Sequence, residues 1–199
     1  MQISKILTLG VVFSLLSLTS FADTVAPHRL RGTIDAVTDS SLSVTGRDGT
    51  KMVYKLVQAT SIVGIAKITS AEIKPGSYIG TAALQQADGT LKALEVHVFP
   101  PSMKGIGEGQ HPWDQGATSV MTNGLVGDVV GANGSTFTVK YGNNQSTVVV
   151  PANTPVVAME PADRSLLVPG AKVIVFTAPN DPSVAARIAV GEHGLTPPM

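Results

Sequence analysis

The sequence predicts an all-β protein built from two small five-stranded barrels in tandem, each with a short helical turn before its fourth strand. Three observations predict it. Short segments alternate apolar and polar residues with period two, clusters of turn-forming residues separate them, and the whole pattern returns once in the second half of the chain.

The first element is a leader. In MQISKILTLGVVFSLLSLTSFADT, Lys5 supplies the positive charge, Ile6 to Leu18 form an apolar run of 13 residues, and Ser20 and Ala22 are the small residues of a cleavage site. The run falls short of the roughly 20 residues that span a bilayer, so residues 1–22 read as a signal peptide cut after Ala22. Removing 22 of the 199 residues leaves 177. The expected location is periplasmic or secreted, with no membrane insertion after cleavage. The absence of cysteine removes disulfides, thiolate ligands and a lipid-modified cysteine, so core burial must supply the stability.

A first module is expected over residues 30–99. GTIDAV, SLSVTG, KMVYKL, SYIGTAALQ and LKALEVHVF are its strands, with turns at DSS, RDG and ADG. TSAEIKPG, between the third and fourth of these, opens on a helix-starting residue and stops at Pro-Gly, which fits one helical turn. Five short strands with a small helix before the fourth are the plan of an OB-like barrel, with a sandwich as the alternative.

A second module is expected over residues 125–191. RGTIDAVTDSSLSV lies without a gap on VGDVVGANGSTFTV at an offset of 95, with Gly32 on Gly127 and Val44 on Val139. Thr60, Ile62, Val63, Pro75 and Gly76 meet Thr154, Val156, Val157, Pro169 and Gly170 at 94, and LEVHV meets ARIAV at 92. Residues 192–199 form a tail. A module this short is near the lower limit of self-sufficient folding, so the two copies are expected to lean on each other.

Between them, residues 100–124 form a Gly/Pro-rich linker. Trp113 is the chain's single tryptophan, and a large ring on an irregular segment is expected to cover apolar surface where the modules meet. Asp114 is expected to accept hydrogen bonds from the amides of its own turn. Glu108, Trp113 and Asp114 are therefore the candidate ligand-binding or interdomain residues. Glu108, His111 and Asp114 form a weaker candidate site for zinc or copper, with Met103 and Met121 as possible sulfur ligands. His97 is expected at an exposed or edge position.

Several classes are disfavoured. GIGEG has its third glycine one place early for a dinucleotide fingerprint, and no helix pattern follows it. No Gly-x-Ser-x-Gly turn or other catalytic constellation is visible, so an enzyme is not expected. The 14 basic and 14 acidic residues become 13 and 14 on loss of Lys5, and with few aromatic residues this argues against nucleic acid as a partner.

The modules and the linker motifs Gly107-Glu108-Gly109, Pro112-Trp113-Asp114 and Met121-Thr122-Asn123 resemble exported bacterial proteins with tandem small β-barrel domains of unknown function. In that group a histidine often follows Gly-Glu-Gly directly, whereas here Gln110 stands there and His111 comes next. The resemblance implies no established activity. The expectation is a non-enzymatic binding or scaffolding protein of the envelope, whose partner is an envelope protein or a small polar ligand. The alternative is a periplasmic divalent-metal protein that uses the linker.

Overall fold

The computed structural model describes residues 29–131 and 135–198, so the expected signal peptide lies outside the described residues. The described chain is all-β: β1 Arg29–Val37, β2 Ser41–Gly46, β3 Lys51–Lys55, β4 Ser61–Lys67, β5 Tyr78–Gln85, β6 Leu91–Val98, β7 Gly109–Pro112, β8 Ser119–Val130, β9 Thr136–Tyr141, β10 Asn144–Val149, β11 Val156–Ala162, β12 Lys172–Ala178 and β13 Asp181–Gly191. Among the described residues no helix is long and apolar enough to cross a membrane.

Alternation produces the strands where it is clean. In β2, Leu42 and Val44 are buried while Ser41, Ser43 and Thr45 between them are half-buried. Gly49 turns the chain into β3 at φ 84, where the Asp48 carboxylate accepts from the Thr50 amide and hydroxyl.

β1, β2 and β3 form an antiparallel meander. β12 adds to the outer edge of β1, pairing Phe176 to Lys172 with Arg29 to Thr33. β13 follows β12, and its Val184 lies beside Lys55 of β3 in parallel, closing a five-stranded barrel. Ile34, Leu42, Val44, Tyr54, Val173, Val175, Ile188 and Val190 fill it. β8, β9, β10, β6 and β5 are joined in the same order, with Val148 and Val149 of β10 parallel to Leu91 and Lys92 of β6. Phe137, Val139, Val148, Ile79 and Val96 pack between them.

This pairing corrects the expected domain plan. Strands do not close within 30–99 or within 125–191; β12 and β13 of the second stretch complete the ring begun by β1 to β3, and β5 and β6 of the first complete the ring of β8 to β10. The crossing follows from β4 and β11, which the sequence reading missed. They pair antiparallel with each other at the middle of the sheet, where Ile65 faces Met159, and carry the chain from one ring to the other. β4 also runs parallel to β13, and β11 to β6. The strand order consequently reads the same from both ends, β3-β2-β1-β12-β13-β4 and β10-β9-β8-β5-β6-β11.

SIVGIA of β4 hides its strand character because it is buried on both faces. Ile62 packs into the first barrel, while Val63 and Ile65 pack on the opposite face with Val157, Met159, Ile174 and Ala189. No polar residue then marks a solvent side. Short 3-10 turns do follow, at Ser70–Glu72 and Arg164–Leu166, but each stands after this additional strand rather than before the fourth. Their starts are capped: Thr69 N–H donates to Glu72 at 2.7 Å, and Ser165 N–H donates to Asp163 at 2.8 Å.

The first strands also align differently from the gapless match. Ile34 pairs with Val44, and it is Val126 that pairs with Val139, so Gly124 rather than Gly127 holds the place of Gly32. A Cβ on Gly32 would lie 2.4 Å from the Thr45 carbonyl oxygen, and one on Gly124 would lie 2.3 Å from that of Lys140. Both positions exclude a side chain for the same reason.

Candidate functional site

The linker is folded rather than loose. After a 3-10 turn at Pro101–Met103, β7 pairs with β8 from Gly109 opposite Asn123 to Pro112 opposite Val120. Strand β8 itself begins at Ser119, inside the span expected to be linker. The three motifs of the resemblance act as its fasteners. Glu108 accepts from the Gly142 amide in the β9–β10 turn at 2.8 Å. The Asn123 side-chain amide donates to the Ile106 carbonyl at 3.2 Å. Gln110 accepts from the hydroxyls of Thr122, Tyr141 and Ser146 at 3.2 to 3.3 Å.

The hairpin tip between β7 and β8 reaches β1. Asp114 takes two bonds from the Arg31 guanidinium at 3.2 Å each and one contact from Arg29 at 3.0 Å. The Arg29 guanidinium also lies 3.8 Å from the centre of the Trp113 ring. Asp114 thus spends its carboxylate on β1 rather than on turn amides; the Ser119 hydroxyl closes the turn, accepting from Gln115 N–H and meeting the Trp113 and Gly116 carbonyls. Burial alone would raise the Asp114 carboxyl, but the Arg31 hydrogen bond and the charges of Arg29 and Arg31 together hold it below the usual carboxylate range.

Because Asp114 is 42% exposed, its ion pairs contribute little, and Asp114→Ala should cost less than about 1 kcal/mol and less still in high salt. Trp113→Ala should cost about 2 kcal/mol through lost apolar cover and the lost cation–ring contact. Urea unfolding of both variants checks this ranking, and an equal or reversed order would contradict it.

The structure does not bring Glu108, His111 and Asp114 together. Glu108 is turned to Gly142, Asp114 to β1, and His111 is exposed on β7. Met121 is buried and Met103 packs against the third apolar cluster. Among the described residues no group of three His, Cys, Asp or Glu side chains could hold a metal ion.

The polar centre lies on β6 instead. His97, expected at an exposed or edge position, is 0% exposed, and Glu95 is 2% exposed. Both lie on the face of β6 away from the barrel interior, with Val96 turned inward between them. That face is covered: Met103 from the linker and Leu195 from the tail pack on its apolar cluster, and Gln115 of the hairpin lines the same groove as Glu95. Nε2 of His97 is 3.6 Å from Oε1 of Glu95, too far for a hydrogen bond, and that oxygen and both ring nitrogens have no partner. Burial pushes Glu95 up to about 7 against the bonds and charges of Gln115, Arg31 and Arg29, and burial pushes His97 down to about 3.

Glu95 stands at the edge of a groove of about 910 Å³. Lys67 and Thr69 at the end of β4, Gln115 of the hairpin, Asn153 and Thr154 of the loop before β11, and the tail at 195–198 also line it. A buried carboxyl with a displaced pKa in a concavity is the usual mark of a ligand site. Sequence reasoning passed over it because Glu95 and His97 alternate with apolar residues as a solvated strand face does, and only the hairpin and tail cover that face. The one signal available was asymmetry, since the aligned strand of the second half carries Arg187 and Ala189 where this one carries Glu95 and His97.

No protein-family model, curated protein or solved structure matches the chain.

Proposed function

We propose that the chain is an exported binding protein of the bacterial envelope that holds a small polar ligand in the groove beside Glu95. The observation that carries this reading is Glu95, a buried carboxyl that lines a groove large enough for a small solute and whose Oε1 lacks a hydrogen-bond partner. The leader pattern of residues 1–22 supports export. In this reading the two strand rings are OB-like barrels derived from one duplicated unit, and the 100–124 linker is their clamp, with Glu108 on one ring and Trp113 and Asp114 on the other.

Ala152 lines the groove from an exposed position, so Ala152→Trp fills it without entering the core. A panel of amino acids, sugars, dicarboxylates and polyamines, screened by ligand-observed magnetic resonance, should yield at least one binder that Ala152→Trp abolishes. Binding by no member, or binding unchanged in Ala152→Trp, would overturn the groove reading.

A further inference from the structure

We propose that the groove selects a small zwitterion, a solute with a primary ammonium and a carboxylate, with the ammonium on Glu95 and the carboxylate on Lys67. The inference rests on the groove reading and specifies the chemistry of its ligand.

At one end the site asks for a hydrogen-bond donor with positive charge. The Glu95 side chain is 2% exposed, lines the groove, and its Oε1 has no hydrogen-bond partner. His97 stands behind it at 3.6 Å and cannot complete the bond. An ammonium supplies three donors and the countercharge, and both gain strength where water is scarce.

The opposite end asks for an anion. Lys67, Val157 and His97 lie abreast across β4, β11 and β6. Lys67 follows Val63 and Ile65 at two-residue steps, which places it on the same sheet face as His97 and Glu95. Two strand spacings set the Lys67 and His97 backbones about 10 Å apart, a distance that a lysine stem and a short ligand bridge together. Lys67 and Arg47 both line the groove, and neither is in an ion pair among the described residues. This cationic rim disfavours a simple amine, and Glu95 disfavours a simple acid. A molecule with both charges satisfies each end, and Val156, Val157 and Pro197 offer an apolar wall to the carbons between them.

Proton release is a second signature. With Glu95 raised to about 7 by burial, part of the population is protonated at neutral pH, and an arriving ammonium drives that proton off. The charged groups that bear on Glu95 are Arg29 and Arg31 of β1 and Asp114 of the hairpin, and His97 is its neighbour on β6. None of them contacts the ligand in this proposal.

The test is calorimetry of the full mature chain with glycine, 4-aminobutanoate and 6-aminohexanoate, using butanoate and butylamine as single-charge controls. One zwitterion should bind at least about tenfold more tightly than either control, and Glu95→Gln and Lys67→Ala should each weaken it by about tenfold or more. Repeated near pH 7 in buffers of different ionisation enthalpy, the wild type should show proton release and Glu95→Gln none. Butylamine or butanoate binding as tightly as every zwitterion, with Ala152→Trp still abolishing it, would overturn the zwitterion while leaving the groove reading intact. Zwitterion binding unchanged in both Glu95→Gln and Lys67→Ala would overturn the proposal, and binding by no solute of either panel would overturn both readings.

Discussion

Neither residues 29–99 nor residues 100–198 will fold as a monomer when produced alone, and mixing the two will restore a cooperative melt. The ring begun by β1 to β3 lacks β12 and β13 in the first fragment, and the ring of β8 to β10 lacks β5 and β6 in the second. The missing strands bring Val173, Val175, Ile188 and Val190 into one core and Ile79, Ala93 and Val96 into the other. At about 1.5–3 kcal/mol for each fully buried aliphatic side chain, the loss in the first ring alone is about 6–12 kcal/mol. That is the size of the whole net stability of an ordinary domain. Each fragment would also leave an edge of β1 or β8 unpaired, a template for association. Size-exclusion chromatography and amide dispersion of each fragment, then of the mixture, check this. A well-dispersed monomeric fragment would show that the rings close within each half after all.

The second large effect is a reversal of pH dependence between two variants of the buried β6 pair. Burial raises the Glu95 carboxyl from 4.5 to about 7, so the native state holds that proton longer than the unfolded chain and stability falls as pH rises from 4.5 to about 7. Burial lowers His97 from 6.5 to about 3, so the unfolded chain takes that proton first and stability falls as pH drops from 6.5 toward 3. Between pH 4.5 and 6.5 the two slopes oppose each other, and the wild type should show a plateau over this window. Glu95→Gln leaves the His97 slope alone, a gain of about 1.4 kcal/mol per pH unit as pH rises to 6.5. His97→Ala leaves the Glu95 slope, a loss of about 3 kcal/mol from pH 4.5 to 7. Arg29, Arg31 and Asp114 bear on Glu95 from β1 and the hairpin. Urea unfolding at a series of pH values reads the slopes directly, and slopes of the same sign in the two variants would refute the assignment.

Much of the architecture is legible in residue order. Period-two alternation and turn chemistry locate β2, β3, β5, β6, β9 and β10, and Pro-Gly marks the end of each short turn. The sequence singled out Trp113 and Asp114 because an indole and a carboxylate on an irregular segment need partners. What Asp114 meets was not legible, because Arg29 and Arg31 stand more than 80 residues away. Glu95 and His97 were misread for a related reason: an alternating polar face is solvated only if nothing folds over it, and here the hairpin and the tail do.

By itself, then, the amino-acid order determined an all-β chain, with a repeated pattern and an export leader as expectations. Tertiary structure alone decided which strands close each ring. Period-two alternation alone does not choose between β5 and β12 as the partner of β1. The choice falls to β4 and β11, which pair with each other at the centre around Val63, Ile65, Val157 and Met159, and that pairing sends the following strands to the opposite ring.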